Sequence, residues 1–106
     1  MNAIIVITEL KKVLVSHFGD NIKDVILFGS QASGKPAEDS DYDILILVAN
    51  DYDWKYQNRV FDKAFDVGLK YQVLFDLHLL SMNEKNNTIR GKEPIFVNAI
   101  QNGIHA

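Results

Sequence analysis

Gly29 and Ser30 close the apolar run Val25-Ile26-Leu27-Phe28, and after ten intervening residues Asp41-Tyr42-Asp43 opens a second apolar run that continues to Ala49. Two buried strands must therefore deliver a small turn and a pair of carboxylates to one place. Side chains two apart on a strand share a face, with α-carbons about 7 Å apart. Asp41 and Asp43 point one way and Tyr42 the other, so the two acids are spaced to converge on ions held roughly 3.5–4 Å apart. Hard cations such as Mg²⁺ take oxygen ligands and are held by one or two carboxylates together with a substrate's phosphates. Gly29 lets the backbone approach a phosphate and adopts positive φ freely. Ser30 brings a hydroxyl and an N–H to the start of a short helix, where unpaired donors favour anions. The spacing predicts one triphosphate gripped between the Gly29-Ser30 turn and ions on Asp41 and Asp43.

Two other motifs overlap these residues and both fail. Gly29-x-x-x-x-Gly34-Lys35 fits most of a P-loop, but the next position needs Ser or Thr for Mg²⁺ and holds Pro36. Asp39-x-Asp41-x-Asp43 imitates the start of a calcium loop, yet its sixth position is Ile44 where glycine is needed and its twelfth is Asn50 where glutamate is needed. The plainer account is a polar loop with scattered acids; the Gly-Ser at a fixed distance, with both motifs set between apolar runs, argues against it.

Gly29-Ser30, ten residues, then Asp41-x-Asp43 resembles the signature of the DNA polymerase beta superfamily of nucleotidyltransferases. The small size, and the tail Phe96-Val97-Asn98-Ala99-Ile100-Gln101-Asn102-Gly103-Ile104, are similar to its minimal nucleotidyltransferase branch, whose members are often antitoxins of HEPN-domain toxins. The resemblance covers the whole chain. It implies the polymerase beta-like fold, two Mg²⁺ ions, ATP as donor and a hydroxyl acceptor, such as a tyrosine on a HEPN-domain partner. Members commonly carry arginine just after the Gly-Ser; here Gln31-Ala32-Ser33-Gly34-Lys35 leaves Lys35 to supply that charge. The resemblance also implies a third carboxylate on a neighbouring strand, as metal ligand and base for the acceptor. Asp76 is the candidate, because it interrupts the strand-like run Tyr71 to Leu80 and a charge there needs a partner or an ion. Three acids so close repel one another, raising at least one pKa until a cation arrives. The alternative is a binding module that neutralises its partner by occlusion, and a third reading is transfer to a small molecule such as an aminoglycoside.

His78 shares a strand face with Asp76 by period two, within reach of the nucleotide or acceptor, although a half-exposed strand histidine is the simpler account. His17 and His105 have no partner the sequence can name. Three scattered histidines and no cysteine give no zinc spacing and no disulfide framework, which suits a reducing cytoplasm. A length of 106 residues with 47% apolar content suits one domain over residues 1–106. A net charge of −3 counts against a nucleic-acid groove, which needs a clustered basic face. The apolar start Ala3 to Ile7 is too short to span a bilayer and lacks a basic flank.

Periodicity predicts an α/β (α+β) architecture, a small mixed sheet flanked by helices. A helix over Asn2–Phe18 places Ala3, Ile7, Leu10, Leu14 and Phe18 on one stripe, and Gly19 closes it. Strands follow at Asp24–Phe28 and Asp43–Ala49. A helix over Trp54–Lys70 is expected to turn Trp54, Phe61, Phe65 and Leu69 inward and Asp62, Asp66 and Lys70 outward. The third strand is expected over Tyr71–Leu80. The thirteen residues from Ser81 to Glu93 read as a long loop that closes over the site, docks a partner or merely links. Pro94 and Gly103 bracket the last helix.

Overall fold

The structure is a computed structural model that describes residues 2–32 and 41–106. Helix α1 (Ala3–Phe18) begins at Asn2, whose side chain accepts from the Ile4 N–H at 2.9 Å, and ends at Gly19, with φ +64°. Its stripe of Ile7, Leu10 and Leu14 is fully buried, joined by Val6. Each such side chain contributes roughly 1.5–3 kcal/mol relative to exposure.

Strand β1 (Ile22–Phe28) runs antiparallel to β2 (Tyr42–Val48), and β2 pairs in parallel with β3 (Phe75–Ser81). The crossover is α2 (Trp54–Tyr71), capped by the Asp53 carboxylate on the Tyr56 N–H at 2.9 Å. A final two-residue strand, β4 (Ile104–His105), adds to the far edge of β1 and gives the mixed order β3-β2-β1-β4. Strand β2 is central and covered on both faces, hence its unbroken apolar reading. Ile44, Ile46 and Val48 meet α1 and α2 on one face, while Leu45 and Leu47 meet Phe96 and Ala99 of α4 (Pro94–Asn102) on the other.

Three expectations need correction. Helix α2 buries Val60, Ala64, Val67 and Gly68, with Phe61 half-buried, whereas Trp54, Phe65 and Leu69 stand 67%, 47% and 77% exposed. Aromatic bulk suggested the wrong phase: the seat against the sheet is narrow, and small and β-branched residues fill it. The charged face does point outward, with Lys70 bonded to Glu9 of α1 at 2.8 Å. The third strand starts at Phe75, because α2 continues through Tyr71 to Gln72 in the left-handed conformation (φ 55°). Finally, the stretch from Ser81 to Glu93 is ordered: it holds α3 (Met82–Asn87) and a 3₁₀ turn at Arg90–Lys92.

That stretch is fastened from inside. Ser81 accepts from the Glu84 N–H at 3.0 Å, Glu84 accepts from the Ser81 N–H at 3.1 Å, and the buried Ser81 hydroxyl donates to Asp51 at 2.9 Å. Arg90 donates to Glu84 at 2.9 Å and to the Leu79 carbonyl at 2.8 Å. Burial works against the Glu84 charge, but the Ser81 N–H, Tyr52 and Arg90 together hold its carboxyl below the usual range.

Candidate active site

Strand alternation places the site on the α4 face of the sheet. Asp43 shares parity with Leu45 and Leu47, and Asp76 and His78 share parity with Leu80; all three leucines pack toward α4. Phe28, Asp43 and Asp76 are direct neighbours across β1, β2 and β3. Gly29 follows at the end of β1 and opens a 3₁₀ turn over Gly29–Gln31, so the short helix expected at Ser30 is present and begins one residue earlier. Its φ of +74° lies in the region that favours glycine, and a Cβ there would collide with the Asp43 carboxylate. The turn and the acid are therefore in direct apposition.

Asp43 faces Asp76 across β2 and β3 and can hydrogen-bond with it once protonated. Burial first, then that bond, the charge of Asp76 and the charge of Asp41 push the Asp43 carboxyl above its ordinary value of 3.8, while His78 opposes the rise. Asp76 lies on the edge strand with its side chain 54% exposed, so it is not the buried charge expected from the apolar run around it. His78 sits between the rings of Phe28 and Phe96, each 5.8 Å away, with Nε2 3.6 Å from Asp76. Asp41 is exposed just before β2 and reaches the pair through its charge. Lys35 lies outside the described residues.

Among the described residues no three acids or histidines already stand as a metal site. The donor set nonetheless fits Mg²⁺: its donors are hard carboxylate oxygens without thiolate, and the charges of Asp76 and Asp41 that push the Asp43 carboxyl upward are what a cation would offset. Sequence reasoning missed the cleft beside Gly29, lined by Phe28, Ile95, Asn98, Ala99 and Asn102. The signal was present in the i, i+4 spacing of Asn98 and Asn102 on a helix that is mostly apolar.

The family model for polymerase beta nucleotidyltransferases matches residues 8–99, a span that contains the turn and all three acids. The chain belongs to this family. Two relatives of this nucleotidyltransferase, from Methanocaldococcus jannaschii, both carry the name "Putative protein adenylyltransferase". One is 39% identical over 74 residues, covering 70% of this chain and 75% of the relative. The other is 40% identical over 76 residues, covering 72% and 71%. A solved chain from a mutant of the toxin–antitoxin complex MntA-HpeT superposes with a TM-score of 0.60 at 17% identity, over 99% of this chain and 72% of that one. At that identity the likeness bears on the fold alone. The nucleotidyltransferase is of the minimal kind, with the acid pair and the glycine turn carried on one four-stranded sheet. No helix among the described residues is long and apolar enough to cross a membrane.

Proposed function

We propose that this nucleotidyltransferase moves AMP from ATP onto a hydroxyl of a partner protein, a tyrosine of a HEPN-domain toxin, and so acts as an antitoxin in the cytoplasm. The carrying observation is the Asp43–Asp76 pair, direct neighbours on adjacent strands, with the Asp43 carboxylate pressed against Gly29. Asp41, Asp43 and Asp76 are the residues that would hold two Mg²⁺ ions. When bound, the ions neutralise the phosphates and the charge that develops as pyrophosphate leaves. Gly29, Ser30 and Lys35 steady the outer phosphates, the lysine being read from the sequence alone. Asp76, half exposed at the edge strand, is reachable by an incoming hydroxyl and accepts its proton as the acceptor oxygen bonds to the α-phosphorus and the bond to the β-phosphate oxygen breaks. A protein acceptor is supported by the names of the two archaeal relatives and a toxin partner by the complex that holds the structural neighbour.

The test is incubation of the purified protein with labelled ATP, Mg²⁺ and the product of the adjacent reading frame, alongside Asp41→Ala/Asp43→Ala. Label on the partner that disappears in the variant is expected. Inhibition of the partner without label would mean occlusion, and label on a small molecule alone would mean a different acceptor.

A further inference from the structure

A cleft of about 500 Å³ opens beside Gly29 on the α4 face of the sheet. Its volume lies within the range of small-ligand sites, and like them it is apolar with few polar groups. Phe28 and Ala99 form the floor, half-exposed Ile95 closes one side, and the carboxamides of Asn98 and Asn102 stand one helical turn apart, 3.5 Å from each other. We propose that this cleft is a nucleobase subsite that takes adenine and that the two α4 carboxamides read it.

Three observations carry the inference, which rests on the nucleotidyl-transfer reading of the acids. Gly29 belongs to both places, since it abuts the Asp43 carboxylate and also lines the cleft, so a base here and a phosphate at the acids are within reach of one ribose. Among the described residues, none of the cleft's lining side chains is charged, which suits a neutral heterocycle and not a phosphate. A carboxamide presents one donor and one acceptor in a fork, the complement of the N6 amino group and N7 of adenine; guanine offers two acceptors, O6 and N7, on the same edge. The apolar floor favours the larger ring of a purine over a pyrimidine, because more surface leaves water.

The experiment is calorimetric binding of ATP and of GTP, each with Mg²⁺ and without any acceptor, to the intact protein and to Asn98→Leu and Asn102→Leu. Both positions are exposed on α4, and unchanged melting curves confirm folding. ATP is expected to bind roughly tenfold or more tightly than GTP, as one bidentate base contact implies. The leucine variants bring that ratio close to one, mainly by weakening ATP. Equal binding of the two nucleotides, or a ratio unchanged in both variants, overturns the inference. Base-selective binding without transfer to any protein sinks the proposed function and leaves the subsite standing. Transfer with unaltered base preference in the variants does the reverse, and a protein that binds neither nucleotide overturns both.

Discussion

Replacing Asp43 by Asn should make the metal-free protein more stable while ending transfer. Asp43 and Asp76 are direct neighbours on adjacent strands, and like charges so placed are destabilising by amounts on the order of 0.2–1 kcal/mol. Asp76 is half exposed and solvent screens the repulsion, so about 0.5 kcal/mol is the appropriate figure. For a domain of this size that raises Tm by about 2–4 °C. The sign with pH follows from the raised pKa of Asp43. A group whose folded pKa lies above its unfolded value contributes stability below the unfolded value, and loses it as pH rises through the folded one. The advantage of Asp43→Asn should therefore be absent below about pH 3.8 and grow as the pH passes through the raised value. With Mg²⁺ at tenfold its Kd, the parent protein should gain about 1.4 kcal/mol and the variant much less, since Asn takes no charge to the ion. Differential scanning calorimetry at pH 3.5 and 7.5, with EDTA or Mg²⁺, separates these effects. A variant less stable than its parent at neutral pH in EDTA would refute the account of a strained acid pair, and equal Mg²⁺ stabilisation of both would refute Asp43 as a ligand.

Other perturbations follow from the same geometry. Gly29→Ala should cost more than Gly19→Ala: both residues have positive φ, worth about 1–2 kcal/mol of backbone strain, but only at Gly29 does a Cβ strike an acid, so urea unfolding should rank them and only Gly29→Ala should abolish transfer. Ser81→Ala removes a buried cap and its bond to Asp51, at a cost of about 1–2 kcal/mol; a urea midpoint unchanged from the parent would contradict that. His105 is raised chiefly by its hydrogen bond to Asp24, 2.5 Å away, and also by the Ile100 carbonyl. Its stabilisation, a few tenths of a kcal/mol at this exposure, is whole below pH 6.5 and lost as pH rises through the folded value. Protection factors for the Ala106 amide, bonded to the Val25 carbonyl, should fall over that window, and His105→Ala should flatten the profile.

Elements fixed by unbroken periodicity or by a cap were legible: the Ile7, Leu10 and Leu14 stripe of α1 with Gly19, the two strands around the motif, and α4 between Pro94 and Gly103. The reading of α2 failed because Trp54, Phe65 and Leu69 form a second apolar stripe beside the buried one, and size alone does not say which stripe the sheet accepts. The stretch after Ser81 reads as a loop through its polar composition, although Ser81-Met82-Asn83-Glu84 spells a capping box. Its other support, Arg90 on the Leu79 carbonyl, is a tertiary contact without a local signature. In the site, spacing singled out Gly29 and Asp43, and the resemblance together with an interrupted apolar run singled out Asp76. Their contact needed the parallel pairing of β2 with β3, and nothing in sequence places β3 beside β2 as an edge strand.

That pairing explains why the acids meet. Asp43 and Asp76 each occupy the second position of their strand, after Tyr42 and Phe75, and the register pairs Tyr42 with Phe75 and Asp43 with Asp76. A slip of one residue would turn Asp76 onto the α1 and α2 face, into the core. The register is held from that opposite face, where the Tyr42 and Phe75 rings lie 6.2 Å apart in the main core, and at the strand's mouth, where the Tyr42 N–H donates to the Leu74 carbonyl at 2.8 Å. The repulsion between the acids is thus carried by aromatic packing one residue away and on the other side of the sheet, so the core and the site cannot vary independently at Tyr42 and Phe75.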